Sequence, residues 1–361
     1  MTVNWDSVEG CRALDPADML GRLLEFPAQF APAYEAGRRL ALPAGYKYVR
    51  QVVVAGMGGS AIAGDYVAAL LRDRCRVPIF VWRDYGLPAF VGPETLVVAS
   101  SYSGSTEETL GAFERARQAG ARVIALTGGG ELAGRAEAAG YPVFKITYQA
   151  PPRAALAYSL FPLLGILTAL EIGPDLGREV VEAGEVASSL LETVRPENPE
   201  GSNPAKALAR AAHGRVVVVY GGGSLEPVAR RWKTQINENS KAWAFFEVLP
   251  ELNHNAVVGY AHPPVARNAV LVVGLASPGE SAELDARLEV TAELLRRAGH
   301  EPRLIAAQGA SRLARMMYLT VLGDWFSYYL ALLNGVDPTP VPPIDFLKAE
   351  LGRRRQGRPT A

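Results

Sequence analysis

Cysteine is nearly missing from this chain. Cys11 and Cys75 are the only two in 361 residues; without further thiols or a CxxC spacing they indicate neither a disulfide framework nor a zinc site. A reducing, cytoplasmic setting is expected. Net charge is missing as well. Lys+Arg and Asp+Glu both stand at 37, which leaves no basic field for a phosphate backbone and argues against nucleic acid as a partner. A site for one small anion needs only a few donors and does not register in that total. Long apolar runs are absent too: the longest, roughly 154–170, carries Tyr158, Ser159 and Pro162 and falls short of the ~20 residues of a membrane span. It reads as a buried helix, and no membrane association is expected. Residues 1–20 hold Asp6, Glu9, Asp15 and Asp18 without a basic start or an apolar core, so no signal peptide is expected. The four histidines show no metal-ligand spacing.

What remains is an ordinary globular composition, 49% hydrophobic and 20% charged, which excludes disorder. Domains cluster at about 100–150 residues, so a chain of this length implies two. Residues 51–55 form a β-branched run that stops at Gly56-Met57-Gly58-Gly59-Ser60, and 61–72 then show helical apolar spacing. Further strands are expected at 77–82, 95–100, 121–126 and 141–146, with a helix over 107–119. The order recurs later: a strand at 215–220 leads through Gly221-Gly222-Gly223-Ser224 into a helix over 225–235. A strand at 268–274 then leads through Ser277-Pro278-Gly279-Glu280-Ser281 into a helix ending near 298. Alternation of this kind predicts an α/β fold, two doubly wound parallel-sheet domains in tandem. The turn formers at 195–204 mark the linker. The expected units are 1–195, 196–333, and a C-terminal arm at 334–361 that carries a final helix over 344–351.

The chemistry concentrates in a few segments. Ser101, Ser103, Ser105 and Thr106 lie where a strand meets a helix, so hydroxyls and free N–H groups can converge on one anion, a phosphate monoester. The plainer reading is an N-cap and a polar turn, but four hydroxyls in six residues exceed what a cap needs. In the second copy, 277–281 has lost this hydroxyl density and gained a carboxylate, so the anion site is expected in the first half. Gly56-x-Gly58-x-x-Ala61 also satisfies a dinucleotide fingerprint, with Asp84 as the ribose partner. That reading leaves 101–106 without a role. Glu238 stands near a helix end in Asn237-Glu238-Asn239, and His254 follows sixteen residues later in Glu251-Leu252-Asn253-His254-Asn255. Taken singly, such a glutamate is a solvated charge and such a histidine a structural one. Together in one polar loop system they are the parts that move a proton between neighbouring sugar carbons. His213, His262 and His300 lack such settings, and His300 beside Glu301 reads as exposed loop.

Gly56-Met57-Gly58-Gly59-Ser60, the segment from Ser101 to Thr109, Pro152-Arg153, Asn237-Glu238-Asn239, the His254 segment and Ile344-Asp345-Phe346-Leu347-Lys348 together resemble the bifunctional phosphoglucose/phosphomannose isomerases. These are built from two sugar-isomerase (SIS) domains, and the resemblance runs from about residue 15 to 350. It implies an aldose–ketose isomerase that interconverts glucose 6-phosphate, and mannose 6-phosphate with it, with fructose 6-phosphate through a cis-enediolate. It further implies that Gly59, Ser60, Ser101, Ser103 and Thr106 hold the phosphate and that Arg153 lies close to the reacting carbons. Glu238 is then the base, while His254 and Lys348 open the sugar ring. Ser105 stands where asparagine is common in relatives, a departure that leaves the flanking hydroxyls in place. The implied chemistry calls for no metal and no organic cofactor. The implied assembly is a homodimer in which His254 serves the neighbour's site. An isomerase of another phosphosugar, or a non-catalytic SIS module that only binds a sugar phosphate, are the alternatives; a sensor would have no use for Glu238, His254 and Lys348.

Overall fold

In the computed structural model, which describes residues 4–356, three short helices come first: α1 (Val8–Arg12), α2 (Met19–Glu25) and α3 (Phe30–Arg38). The first three residues of the expected first unit and the last five of the expected arm lie outside the described residues. Strands β1 (Gln51–Gly56), β2 (Ile79–Trp82), β3 (Thr95–Ser101), β4 (Arg122–Thr127) and β5 (Val143–Lys145) form one parallel sheet in the order β2-β1-β3-β4-β5. Every residue of β3 is buried, as a strand covered on both faces requires. The crossovers are α4 (Gly58–Leu71), α5 (Glu107–Gln118) and α6 (Gly130–Ala138), followed by α7 (Leu156–Ala169), α8 (Gly177–Val194) and α9 (Pro204–Ala212). The apolar run at 154–170 is the buried helix α7.

The second sheet is parallel too, in the order β7-β6-β8-β9. It comprises β6 (Val216–Gly222), β7 (Ala244–Leu249), β8 (Val270–Ala276) and β9 (Arg303–Ala306). Its helices are α10 (Glu226–Asn239), the single turn α11 (Ala266–Ala269) and α12 (Ala282–Arg297). Then come α13 (Arg312–Leu333) and the arm helix α14 (Pro342–Gln356). In both sheets the strand order reverses beside the first strand, between β1 and β3 and between β6 and β8. Ligands of open α/β sheets bind outside the strands' carboxyl ends at such a point.

Two features depart from the expectations above. β7 and β9 are edge strands without clean alternation; β7 exposes Phe245 at 42%. β7 also separates Glu238 from His254, so these two residues do not share one polar loop. His300 is not exposed but 6% accessible; its Nε2 donates to the Tyr260 carbonyl at 2.8 Å, while its buried Nδ1 has no hydrogen-bond partner.

The core does not stop between the halves. One apolar cluster runs from Phe30, stacked on Phe161 at 4.4 Å, through to Trp232, Trp325 and Phe326. α13 is its spine, packing on α8, α9 and α10. The approach of α10 to α13 depends on Gly323, where an added Cβ would lie 2.1 Å from Trp232 Nε1. That indole donates to the Leu319 carbonyl at 2.8 Å. Gly323→Ala forces a rigid ring and a buried helix apart, which costs about 1–3 kcal/mol. A lowered thermal midpoint with unchanged secondary structure by circular dichroism is the expected result.

Candidate active site

The carboxyl ends of β1 and β3 carry the two loops that the sequence singles out. Ser60 opens its hydroxyl toward the second loop and accepts from the Tyr102 N–H at 3.0 Å. Ser101, buried at 1% exposure, donates to Thr106 Oγ1 at 2.9 Å and accepts from the Gly104 N–H at 3.1 Å. Ser103 Oγ accepts from the Ser105 N–H and hydroxyl at 3.3 and 3.2 Å. A hydroxyl has one proton to donate. The Ser101 proton is engaged in shaping the loop, whereas Ser60, Ser103 and Thr106 act only as acceptors here and keep theirs for a ligand. Gly104 has φ 68°, and a Cβ there would lie 1.8 Å from the Gly129 carbonyl oxygen, so only glycine permits this turn. Thr106 is the N-cap of α5, whose unpaired N–H groups add to the positive end of the cradle.

Glu238 is the penultimate residue of α10 and its side chain is 29% exposed. It lines a cavity of about 210 Å³ whose other walls include Gly58, Gly59 and Arg153. A Cβ on Gly59 would lie 3.0 Å from the Pro152 carbonyl oxygen, so the glycine loop and the Arg153 turn touch at this point. Arg153, only 4% exposed, is fixed from three sides. Its Nε donates to Asn239 Oδ1 at 2.6 Å, its Nη2 to the Pro338 and Thr339 carbonyls at 2.7 Å each, and its Nη1 to Glu238 Oε2 at 3.4 Å. Burial lowers the Arg153 pKa from its ordinary value while Glu238 opposes the shift; a guanidinium nevertheless stays charged. The result is a carboxylate at a cavity edge beside a buried, immobile cation.

His254 and Lys348 are elsewhere. α10 starts at the carboxyl end of β6 and runs back along the sheet, so Glu238 lies at the edge where β7 begins. His254 ends the short 3-10 turn Glu251–His254 beyond the far end of β7. A six-residue strand separates the two by roughly 20 Å at ~3.3 Å per residue. His254 is exposed and makes no hydrogen bond or ion pair among the described residues. Lys348 is also exposed, on α14, one turn past Ile344. Ile344, Trp243 and Glu238 line a second, open cavity of about 720 Å³ on the other side of the Glu238 carboxylate. Within one chain the structure brings together Gly59, Ser60, Arg153 and Glu238, with the 101–106 loop beside them, and leaves His254 apart.

Sequence reasoning missed the basic wall of the smaller cavity, formed by Arg83, Arg230 and Lys233. Asp65 holds two of these, accepting from Arg83 and standing 3.5 Å from Arg230. It also missed Lys241, whose Nζ donates to the Glu238 carbonyl at 2.6 Å. Burial, and Arg153 after it, push the Lys241 pKa down to about 8. These residues are scattered over the loop after β2, over α10 and over a turn, and no motif joins them.

Known proteins resemble this chain along most of its length. Residues 47–139 match the SIS domain, and residues 201–351 match the bacterial phospho-glucose isomerase C-terminal SIS domain. A bifunctional phosphoglucose/phosphomannose isomerase of Caldicellulosiruptor bescii is 41% identical over 92% of this chain and 98% of that protein. One of Aquifex aeolicus is 36% identical over 83% of this chain and 90% of its own. Among solved structures, a hypothetical protein from Thermus thermophilus superposes with a TM-score of 0.73 at 21% identity, covering 96% of this chain and 92% of that one; this is a likeness of fold. By these matches the chain belongs to the family of bifunctional phosphoglucose/phosphomannose isomerases.

Proposed function

We propose that this protein interconverts glucose 6-phosphate and mannose 6-phosphate with fructose 6-phosphate by moving a proton between C1 and C2. The observation that carries this reading is the Glu238 carboxylate, open to the cavity and 3.4 Å from the buried Arg153 guanidinium. Ser60, Ser103 and Thr106 donate to the substrate phosphate, and Ser101 keeps Thr106 in place. Glu238 takes the C2 proton of the open-chain aldose and returns it at C1. Between these steps the charge develops on the enediolate oxygens, and a cation that is already fixed stabilises it without reorganising.

Ring opening falls to His254 and Lys348. The distance along β7 keeps a chain's own histidine from its own Glu238, which favours a two-fold dimer in which each His254 enters the partner's site. Surface chemistry supports this: Val258 and Val265, near His254, are 85% and 67% exposed, and Trp243 at the mouth of the open cavity is 71% exposed. An apolar loop tip and an apolar recess on one chain are self-complementary under a two-fold axis. Lys348 on α14 then lies at the rim of the same recess.

Glu238→Gln keeps the shape and removes the base, so kcat should fall by about 100- to 10,000-fold, and solvent deuterium should no longer enter C2 during equilibration. Near-normal turnover would remove Glu238 from this role. Ser103→Ala and Thr106→Ala should each weaken the inhibitor 5-phosphoarabinonate by about 1–3 kcal/mol in calorimetry; unchanged affinity would place the phosphate elsewhere. The shared site is read by mixing Glu238→Gln with His254→Ala chains. Random reassociation makes about half of the dimers mixed, and roughly a quarter of all sites then pair an intact Glu238 with an intact His254. Activity should recover accordingly; if it stays at the single-mutant level after verified exchange, His254 acts within its own chain.

A further inference from the structure

The second half repeats the backbone of the first cradle, position for position. Five residues follow β3 before α5, and five follow β8 before α12. The third of each five is a glycine with positive φ, Gly104 at 68° and Gly279 at 79°, and the last is the N-cap, Thr106 or Ser281. The facing loops correspond as well. Ala55 pairs with Ala99 and Tyr220 with Gly274, each partner two residues before its strand ends; three residues past Ala55 and Tyr220 stand Gly58 at φ 49° and Gly223 at φ 58°. In this register Ser60 becomes Leu225, Ser101 becomes Ala276, and Ser103 becomes Pro278. Ser105 becomes Glu280. The backbone cradle is kept, the hydroxyls of positions 60, 101, 103 and 105 are gone, and a carboxylate has arrived.

That carboxylate lies where the ligand of such a crevice belongs. Glu280 Oε1 accepts from the Ser224 N–H at 3.1 Å, and Oε2 accepts from the Ser224 hydroxyl. Arg312 Nε stands 3.5 Å from Oε1, while its Nη atoms donate to Asp73 at 2.6 and 3.0 Å. Ser277, 8% exposed, lines the same small cavity of about 20 Å³, and its hydroxyl has no hydrogen-bond partner. A buried hydroxyl without a partner is costly, and here it faces a space with room for about one water. We infer that this crevice is a tetrahedral-oxyanion site, suited to phosphate or a phosphomonoester, whose ligand position is filled by the chain's own Glu280. Removing the side chain leaves the Ser224 N–H and hydroxyl, the Ser277 hydroxyl, Arg312 and the amino end of the sixteen-residue α12 converging on an emptied volume. Filled by Glu280, the crevice is closed to substrate, and each chain keeps a single sugar-phosphate site.

Equilibrium dialysis of the full-length protein against radiolabelled inorganic phosphate tests this by stoichiometry, whatever the first cradle binds. Glu280→Ala should take up one more phosphate per chain than the unaltered protein, with a Kd on the order of 1 mM or tighter. Glu280→Ser, which restores the residue type found at 105, should do the same. Adding Arg312→Ala should weaken only the extra site, by about tenfold or more. Equal stoichiometry in the unaltered protein and in either folded variant overturns the inference. Thermal midpoints with and without phosphate cover a variant that folds poorly: recovery in phosphate supports the site, and failure to recover overturns it.

Discussion

The buried pair of Arg231 and Asp324 holds the working parts of this protein in one frame. Arg231, on α10, donates from Nε and Nη2 to the two oxygens of Asp324 on α13 at 3.0 and 2.7 Å. The same Nη2 donates to the Arg153 carbonyl at 3.0 Å, and Gln235 donates to Asp324 at 2.9 Å. Both charged residues are nearly inaccessible, at 2% and 3%. Burial pushes the Asp324 carboxyl up while Arg231 pulls it back. A buried ion pair adds little net stability, but stranding one partner costs about 3–5 kcal/mol, so the pair acts as a geometric lock. What it locks is the relation of Glu238, two turns further along α10, to the turn that carries Arg153. Exposed helical pairs such as Arg354 and Glu350 do nothing comparable.

The first cradle and the Glu238 end of the site obey different demands. The cradle is a backbone device: Gly104 sets its turn, Ser101 closes it, and the protons that remain free are those a dianion would take. The Glu238 end is a side-chain device in which the buried Arg153 cation is immobilised beside a carboxylate. The cradle is positioned by the first sheet, and the Glu238 end by α10 packed on α13 together with the Pro338 and Thr339 carbonyls beyond it.

Much of this was legible in the sequence, for physical reasons that differ by element. The strands that became β1, β3, β4, β6 and β8 are buried on both faces and read as β-branched runs bounded by glycine. α10 was legible because it follows a β-branched run and Gly221-Gly222-Gly223-Ser224 in the same order as the first half. β7 was not: this edge strand, Ala244-Phe245-Phe246-Glu247-Val248-Leu249, has no period-2 pattern, and without it Glu238 and His254 looked like neighbours. Arg153 could be named but its burial could not, because three of its acceptors are carbonyl or amide groups from 239 and 338–339, remote in sequence. The Arg231–Asp324 pair spans 93 residues and has no local mark.

The uninterrupted core through α13 decides whether the two halves can be parted. Two repeated units share one interior, with Trp232 of the second unit's first crossover seated on the helix that also covers α8 and α9. Neither unit retains an outer face of its own at that boundary. Division of the chain at 195–204 would therefore leave two halves with bare apolar flanks, whereas changes in the loops of either sheet leave the shared interior untouched.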